Sequence, residues 1–363
     1  MRQYILAWRE LPSWKVPTDF KAQTKLSILI PARNEAENIL AGLRSIAKQN
    51  YPTELWEVLV LDDYSEDETA TLVENFPAKN VRLLKLADFV MEGETQSYKK
   101  KAIEIGIAQA KGELIVTTDA DCIVQPNWLK FIVSIYQEKD CQFIAAPVNF
   151  YEESNALERF QSLDFIGMMG IAGGGIQRKF MRMCNGANLA YTKAAFHAVN
   201  GFEDINQMAS GDDMLLMQKM AQEYPEGIVY LKNKEATTFT KAKPNLAAFY
   251  QQRLRWATKS ASYPEKLVTL ILAMVFFFCC NILLSAVLSL FWHWQIIFIL
   301  ISSLFTKAMM DYIFLSKMSR FFQRQDLMKS FVSSFFMHIL YIVFIGFAAN
   351  LVKQYEWKGR RVQ

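Results

Sequence analysis

Two carboxylates one residue apart follow a short strand-like segment near the first third of the chain. The stretch 116–122, VTTDADC, places Asp119 and Asp121 directly after residues 113–116. In extended chain, residues i and i+2 point to the same side, so both carboxylates can face one pocket. Two such charges repel each other unless a cation neutralises them, and hard oxygen ligands suit Mg²⁺ or Mn²⁺. The pair therefore indicates a metal site that shares a substrate's phosphates, with a solvated loop as the alternative.

Acidic residues also follow two earlier apolar runs. The run 57–63 ends in Asp62 and Asp63, and PARNE at 31–35 brings Glu35 just past another run. In sheets of parallel strands, ligands bind beyond the carboxyl ends of the strands. These acids are therefore candidates for the same site as the first pair.

A second pair of acids, Asp212 and Asp213, stands before an apolar pattern with helical spacing in GDDMLLMQKM. The pair can belong to the same acidic site. It can equally cap the N-terminus of the helix, a position that favours Asp.

The segment QQRLRW at 251–256 combines an amide, a cation and an indole just before the first long apolar run. Gln252, Arg255 and Trp256 are three and four residues apart, so they can share one face of a helix. The alternative is an interfacial helix with a snorkelling Arg and a Trp in the aromatic belt.

Strand-like and helix-like segments alternate through the first half of the chain, which predicts βαβ units and a mostly parallel α/β sheet. Neither GxGxxG nor GxxxxGK[ST] occurs, so no dinucleotide fingerprint or P-loop supports the site. The expected strands are 25–31, 57–63, 81–86 and 113–118, and the expected helices are 36–50, 66–76 and 99–110.

Charge and hydropathy divide the chain into a soluble part and a membrane part. Its 363 residues carry 40 basic and 36 acidic side chains, and a net charge of +4 argues against a nucleic-acid binder. Hydrophobic residues make up 52% and are concentrated after about residue 262. Three apolar runs there each exceed the roughly 20 residues that cross a bilayer as a helix. They lie at 266–291, 294–315 and 328–352.

Other polar residues carry weaker signals. Lys307 and Asp311 are four residues apart in the second apolar run, which fits a proton or ion site or a salt bridge that faces the helix bundle. The five cysteines have no metal-ligand spacing and the chain has only three histidines, so no zinc site is predicted.

Seven segments resemble, in the family's order, the motifs of family 2 glycosyltransferases. They are SILIPARNEAENI, VLVLDDYSED, YKKKAIEIGI, TTDADC, NGANLAYTKAAFHAVNGF, GDD and QRLRW, and they span about residues 25–260. The resemblance implies the GT-A nucleotide-diphospho-sugar transferase fold, followed by C-terminal transmembrane helices. It also implies a metal-dependent reaction that inverts the anomeric configuration.

The same resemblance implies roles for individual residues. Asp119 and Asp121 form the DxD motif, with Asp121 as the expected direct ligand of Mg²⁺ or Mn²⁺. Asp213 matches the catalytic base, and Asp212 replaces the family's usual Glu. Tyr98 stands where the family has a glycine before its nucleotide-binding lysine. The expected donor contacts are Pro31, Ala32, Glu35, Asp63, Lys99, Asp119 and Arg255, and the expected acceptor contacts are Asn188, Gln252 and Trp256.

The resemblance divides the chain into three regions. Residues 1–24 are an amphipathic or interfacial segment, with disorder as the alternative. Residues 25–262 are the GT-A catalytic domain, which includes an interfacial QxxRW helix. Residues 263–363 are a membrane domain with about three spans and a basic tail.

Three functions fit these motifs. The first is an inverting glycosyltransferase that moves a sugar to a membrane-presented lipid or lipid-linked acceptor. Its donor is a nucleotide-diphospho-sugar, with a UDP-sugar in first place and a GDP-sugar in second. The second is a processive polysaccharide synthase, which shares QxxRW, although three spans are few for a polymer channel. The third is an inactive nucleotide-sugar-binding scaffold.

The expected location is the bacterial inner membrane, with the catalytic domain in the cytosol where nucleotide sugars are made. The basic loop after the second span fits a cytosolic position. Three crossings would then place the basic tail 353–363 outside, against the positive-inside rule.

Overall fold

The structure is a computed structural model. It describes residues 1–95, 97–206, 208, 211–258, 265–291 and 294–351, together with the backbone of 355–357 and 360–362. The predicted domain boundary at 262–263 and most of the basic tail lie outside the described residues.

Twelve strands and twelve α-helices are found in the part of the chain that is described. The strands are β1 (Leu26–Ala32), β2 (Trp56–Asp62), β3 (Val81–Lys85), β4 (Leu114–Thr117), β5 (Ile123–Val124), β6 (Phe143–Ala145), β7 (Val148–Tyr151), β8 (Leu189–Thr192), β9 (Ile228–Tyr230), β10 (Thr238–Lys241), β11 (Tyr355–Trp357) and β12 (Arg360–Val362). The helices are α1 (Arg2–Glu10), α2 (Ile39–Ile46), α3 (Thr69–Glu74), α4 (Tyr98–Gln109), α5 (Trp128–Lys139), α6 (Ala156–Arg178), α7 (Lys193–Ala198), α8 (Met214–Glu223), α9 (Leu246–Thr258), α10 (Lys266–Leu288), α11 (Trp294–Phe321) and α12 (Phe331–Leu351).

A seven-stranded sheet in the order β3-β2-β1-β4-β8-β6-β9 forms the centre of the α/β part of the chain, which the sequence analysis predicted to be the catalytic domain. β1, β2, β3 and β4 pair in parallel, whereas β8 runs antiparallel to both of its neighbours. A smaller sheet, β5-β10-β7, lies beside it. The predicted mostly parallel sheet is confirmed, and the four strands predicted from apolar runs are its first four.

The two central strands are buried on both faces, as expected when helices cover a parallel sheet. Ile28 and Val58 point into a core formed with α2 and α5. Leu29 and Leu59 point into the opposite core, formed with α4 and α6. Because successive side chains alternate between the two cores, both strands are apolar apart from Ser27 and Glu57, which bond to each other near their starts, and Asp62 at the end of β2.

The long helix α6 connects the α/β part of the chain to the apolar helices, and it was not predicted from the sequence. It contacts α1, β7, α11 and α12. The apolar face of α1, which includes Tyr4 and Trp8, is buried in the same core as α6. The N-terminal segment is therefore an amphipathic helix packed on protein, and it is not disordered.

Three helices among the described residues are long and apolar enough to cross a membrane. They are Lys266–Leu288, Trp294–Phe321 and Gln325–Leu351, and all three predicted runs fall on them. The second helix continues six residues past the predicted end at 315. Its Lys307 forms a salt bridge with Asp311, and only 7% of the Lys307 side chain is exposed. The pair therefore faces the bundle, as the alternative interpretation held.

The turn between α11 and α12 is joined to the catalytic domain by charged side chains. Arg324 donates two hydrogen bonds to the carboxylate of Glu153, the shorter of them 2.8 Å long. Burial alone would raise the pKa of Glu153, but the hydrogen bonds from Arg324 and Ser162 hold it below its usual value. The pair is ionised at neutral pH and fixes the membrane helices to the segment after β7.

The contact between α6 and α11 gives a stability prediction. A Cβ on Gly170 would lie 2.8 Å from Cζ of the buried Phe314, and the sulfur of Met318 would also have to move. A Cβ on Gly167 would press only on the end of the Leu315 side chain, at 2.9 Å. Overpacking of this kind costs about 1–3 kcal/mol. We expect Gly170→Ala to lower the free energy of unfolding by more than Gly167→Ala does.

The measurement is the midpoint of thermal unfolding of each full-length variant in the same detergent. Both substitutions gain the same helix propensity, roughly 1 kcal/mol, so the difference between the two variants isolates the packing effect. Equal midpoints would show that α6 and α11 do not pack as closely as described.

Candidate functional site

A cleft of about 370 Å³ opens at the carboxyl ends of β1, β2 and β4. This volume lies within the range of small-molecule sites. The start of α8 and one face of α9 form its opposite walls. All but one of the site residues expected from the sequence line it, namely Pro31, Ala32, Glu35, Asp63, Lys99, Asp119, Asp121, Asp212, Asp213, Gln252, Arg255 and Trp256.

The loop after β1 is held against the loop after β2. The backbone amide of Asp63 donates to the carbonyl of Ala32 at 2.8 Å. The buried guanidinium of Arg33 donates to the carbonyls of Asp63 and Tyr64, both at 2.9 Å. Asn34 turns the chain with a φ of 51° between them, a conformation that Asn tolerates better than most residues. Sequence reasoning assigned no role to Arg33, yet this side chain fixes the position of Asp63.

Lys99 connects the two acidic pairs across the cleft. Its Nζ lies 2.9 Å from Oδ1 of Asp119 and 3.0 Å from Oδ2 of Asp212. Burial alone would lower the pKa of Lys99, but the negative charges of Asp119 and Asp212 outweigh it and raise the pKa overall. The lysine is therefore charged at neutral pH and holds the end of β4 close to the start of α8.

The residue before this lysine departs from the expected glycine. Tyr98 does not line the cleft, and its hydroxyl accepts a hydrogen bond from the amide of Gly93 at 2.7 Å. Its ring packs edge-on against Tyr64, with the centroids 5.9 Å apart. The large side chain thus supports the outer loop and leaves the position of Lys99 unobstructed.

The DxD segment brings possible metal ligands together. Ligand atoms of Asp119, Asp121 and Cys122 lie within 4.8 Å of one another. Burial and the neighbouring carboxylates raise the pKa of the Cys122 thiol well above its usual value, so the thiol stays protonated. Hard cations prefer carboxylate oxygens to the softer thiol sulfur, so the expected donor set is the two carboxylates. Such oxygens fit Mg²⁺ or Mn²⁺.

Asp213 is the N-cap of α8 and also part of the cleft wall. Its Oδ1 accepts from the amide of Met214 at 2.7 Å, and its Oδ2 accepts from the amide of Gly186 at 3.1 Å. The capping interpretation is therefore correct, and it does not exclude a catalytic role. A carboxylate has about four acceptor sites, so two amide bonds fix the group and leave sites for a substrate proton.

α9 presents its polar face to the opposite side of the cleft. Arg255 lines the cleft, and among the described residues its side chain has no hydrogen-bond or ion-pair partner. Oε1 of Gln252 is buried and likewise lacks a hydrogen-bond partner in the described part of the chain. Trp256 lies next to Phe165 of α6, with the ring centroids 6.2 Å apart. Buried polar atoms without partners are uncommon, so this wall fits a polar ligand.

Asn188 does not reach the cleft, which corrects its expected acceptor contact. Its side chain is fully buried and donates to the carbonyls of Pro147 and Ala236 at 2.7 and 2.8 Å. It also accepts from Nε1 of Trp128 at 2.8 Å. These three bonds give the residue a structural role between strands. The NGAN segment reaches the cleft through Asn185, Gly186 and Ala187 instead.

Two lysines that the sequence analysis did not single out also line the cleft. Lys241 is the last residue of β10, and Lys243 lies between β10 and α9 in the chain. No sequence motif marks them, and only the position of β10 beside β7 brings them to this wall.

Two family models match the chain. One, described as Glycosyl transferase family group 2, matches residues 114–352, and the other, described as Glycosyl transferase family 2, matches residues 27–198. The mannosyltransferase PcManGT from Pyrobaculum calidifontis, solved in complex with GDP-Man and Mn²⁺, has a TM-score of 0.58 to this chain at 17% identity. The comparison covers 92% of this chain and 93% of that one, so the two share the fold, and the expected GT-A fold is confirmed.

Relatives agree with the family models. The chain is 26% identical over 268 residues to the Probable glycosyltransferase YdaM of Bacillus subtilis, covering 70% of this chain and 59% of that protein. It is 28% identical over 138 residues to UDP-Glc:alpha-D-GlcNAc-diphosphoundecaprenol beta-1,3-glucosyltransferase WfgD of Escherichia coli, covering 37% and 50%. The chain thus spans about half the length of these relatives. It belongs to the family 2 glycosyl transferases.

Proposed function

We propose that the protein is an inverting, metal-dependent glycosyltransferase that moves a sugar from a nucleotide-diphospho-sugar to a lipid or lipid-linked acceptor. One observation carries the proposal. A single cleft is lined both by the acids at the strand ends and by Gln252, Arg255 and Trp256. These three residues lie on α9, which comes just before the first apolar helix in the chain. The cleft therefore combines donor chemistry with proximity to a membrane.

The donor occupies the wall formed by the ends of β1 and β2. Asp63, with Pro31, Ala32 and Glu35 beside it, contacts the nucleoside, and Arg255 contacts the diphosphate. The bound GDP-Man of PcManGT supports a nucleotide-sugar donor. The name of WfgD supports a UDP-sugar. We take a UDP-sugar as the first candidate and a GDP-sugar as the second.

Asp121 and Asp119 would hold the metal, Mg²⁺ or Mn²⁺, and the Mn²⁺ bound to PcManGT supports this assignment. When bound, the metal supplies positive charge that neutralises the diphosphate. Lys99 pairs with Asp119 and offsets part of the negative charge of the two carboxylates. The arrangement keeps the carboxylates in place before the donor arrives.

The protein's own residues account for the remaining chemistry. Asp213, oriented by two amides, takes the proton from the attacking acceptor hydroxyl, whose own pKa is far above 7. Arg255 stabilises the negative charge that grows on the departing nucleoside diphosphate. Asp212, tied to Lys99, keeps the base close to the donor site. A single displacement at the anomeric carbon inverts its configuration.

The acceptor side of the cleft favours a lipid. Gln252 and Trp256 contact the acceptor, and the membrane presents its head group next to α9. The name of WfgD, whose substrate carries a diphosphoundecaprenol, supports a lipid-linked acceptor. The three apolar helices support membrane association. We place the catalytic domain on the cytosolic side of a bacterial inner membrane, because nucleotide sugars are made in the cytosol.

The function itself is tested by a product screen. The full-length protein in liposomes is incubated with UDP- and GDP-sugars, Mn²⁺ and an extracted membrane lipid mixture, and the lipids are analysed by mass spectrometry. A lipid that gains one sugar mass supports the proposal. A ladder of many sugars would favour a processive synthase, and neither transfer nor donor hydrolysis would favour an inactive scaffold.

Removal of the proposed base should stop transfer without loss of donor binding. We expect Asp213→Asn to lower the transfer rate about 10²–10⁴-fold, the usual contribution of general base catalysis. Nucleoside diphosphate affinity, measured by calorimetry, should stay within about twofold, because the amide keeps the shape of the side chain. The matched control is Asp140→Asn, an exposed residue at the end of α5. Transfer by Asp213→Asn at the wild-type rate would reject Asp213 as the base.

The metal assignment distinguishes the carboxylates from the neighbouring thiol. EDTA should abolish transfer, and Asp121→Asn should weaken the Mn²⁺-dependent binding of nucleoside diphosphate by at least about tenfold. Cys122→Ala should retain that binding, because Mg²⁺ and Mn²⁺ prefer carboxylate oxygens to a thiol sulfur. Calorimetric titration with and without Mn²⁺ measures both effects. Equal loss of Mn²⁺-dependent binding in Asp121→Asn and Cys122→Ala would place the thiol in the coordination shell. Full activity in EDTA would remove the metal from the mechanism.

A further inference from the structure

α9 carries a second arginine that points away from the cleft. Arg253 does not line the cleft, and only 3% of its surface is exposed. Its guanidinium carbon lies 4.5 Å from the ring centroid of Trp256, 5.1 Å from that of Phe249 and 5.6 Å from that of Tyr341. A buried cation so close to an indole ring contributes a cation–π interaction and restricts the plane of the ring.

The charge of Arg253 is balanced by Asp164 of α6. Nη2 of the arginine lies 2.9 Å from Oδ2 of the aspartate, and 8% of the aspartate side chain is exposed. The two atoms meet without the alignment of a hydrogen bond, so the contact is mainly electrostatic. Removing one member of such a pair leaves an uncompensated buried charge, which is strongly unfavourable.

The membrane helices complete the surroundings of this pair. Nε2 of His338, on α12, lies 3.9 Å from Oδ1 of Asp164, and its Nδ1 lies 3.3 Å from Nζ of Lys307, on α11. Tyr341, also on α12, is one of the three rings around Arg253. A series of polar contacts therefore links Arg253 on α9, through Asp164 on α6, to residues of α12 and α11.

We propose that Arg253 and Asp164 are positioning residues that hold the Trp256 indole at the acceptor end of the cleft. The inference rests on the proposed function, in which Trp256 contacts the acceptor. One face of the indole lies against Arg253, and Trp256 itself lines the cleft. The apolar helices α11 and α12 then do more than anchor the enzyme, because they help to build its acceptor site.

A purely structural ion pair would give a different result from a positioning pair. Loss of a structural pair would lower stability and affect every activity together. Loss of a positioning pair would weaken acceptor use through Trp256 and leave the donor site intact, because its contacts other than Arg255 lie on the opposite wall. The experiment therefore separates acceptor kinetics from donor binding.

The variants Arg253→Gln, Arg253→Lys and Asp164→Asn are compared with the wild type as full-length proteins in phosphatidylethanolamine–phosphatidylglycerol liposomes. The acceptor probes are a short-chain polyprenyl phosphate and diacylglycerol, with the donor found in the product screen. We expect Arg253→Gln and Asp164→Asn to raise the acceptor KM roughly tenfold or more, within the usual range of coupling between contacting residues. Donor affinity and donor hydrolysis should stay unchanged. Arg253→Lys should restore part of the loss, since it keeps the charge but not the planar group.

A double-mutant cycle decides whether the effect passes through Trp256. In a Trp256→Ala background, Arg253→Gln should change the acceptor KM by less than about twofold, because the ring it supports is gone. If the fold-changes in acceptor KM of the two single variants multiply in the double variant, the proposal is overturned. Arg44→Gln, an exposed arginine of α2, is the matched control.

A second readout needs no acceptor. Tryptophan emission of each variant is compared with that of the same chain carrying Trp256→Phe, so that the difference reports Trp256 alone. We expect the difference spectrum of Asp164→Asn to shift to longer wavelength. If Arg253→Gln does not fold, Arg253→Lys is measured in its place, and we expect the same direction of shift. An unshifted spectrum would refute positioning by the pair. If the wild type neither transfers nor hydrolyses any nucleotide sugar, the proposed function fails, and this readout still tests the pair.

Discussion

The cleft depends on the compensation of negative charge by one lysine. Parallel strands β1, β2 and β4 bring acidic residues to a common edge, and the start of α8 adds two more. Lys99 pairs with Asp119 and with Asp212, so it offsets the repulsion between elements that would otherwise separate. Since Asp213 follows Asp212 directly, the same lysine also sets the distance between the carboxylates of the DxD segment and Asp213. Fixed charges of this kind need little rearrangement during a reaction, which favours the stabilisation of a transition state.

Charge pairing recurs where the catalytic domain meets the apolar helices. Arg324 pairs with Glu153 near the end of β7, and Arg253 pairs with Asp164 deeper in the interface. Between these contacts α6 packs closely on α11 through Gly170. The apolar helices are thus connected to the cleft through α6 and α9.

The fold was largely predictable from the sequence, because short apolar runs with acidic ends are a local signal. Each of the first four strands lies within one or two residues of its predicted bounds, and the three apolar helices match their predicted runs. α6 was not predicted, and the reason is physical. Its glycines and its buried polar residues Gln161 and Asp164 weaken the pattern of one apolar face, since different faces of the helix pack on α1, α11 and β7.

The sequence by itself determined which residue types stand at the strand ends and before the first apolar helix, and the geometry of parallel strands then required most of them to meet. Only the tertiary structure decided which neighbours of a motif enter the cleft. Asn188 turns inward because its amide binds carbonyls 41 and 48 residues away, while Asn185 lines the cleft. Arg253 and Arg255 look alike in QRLRW, yet one is buried against Asp164 and the other lines the cleft. These outcomes depend on partners that are distant in the sequence, whose positions no local pattern records.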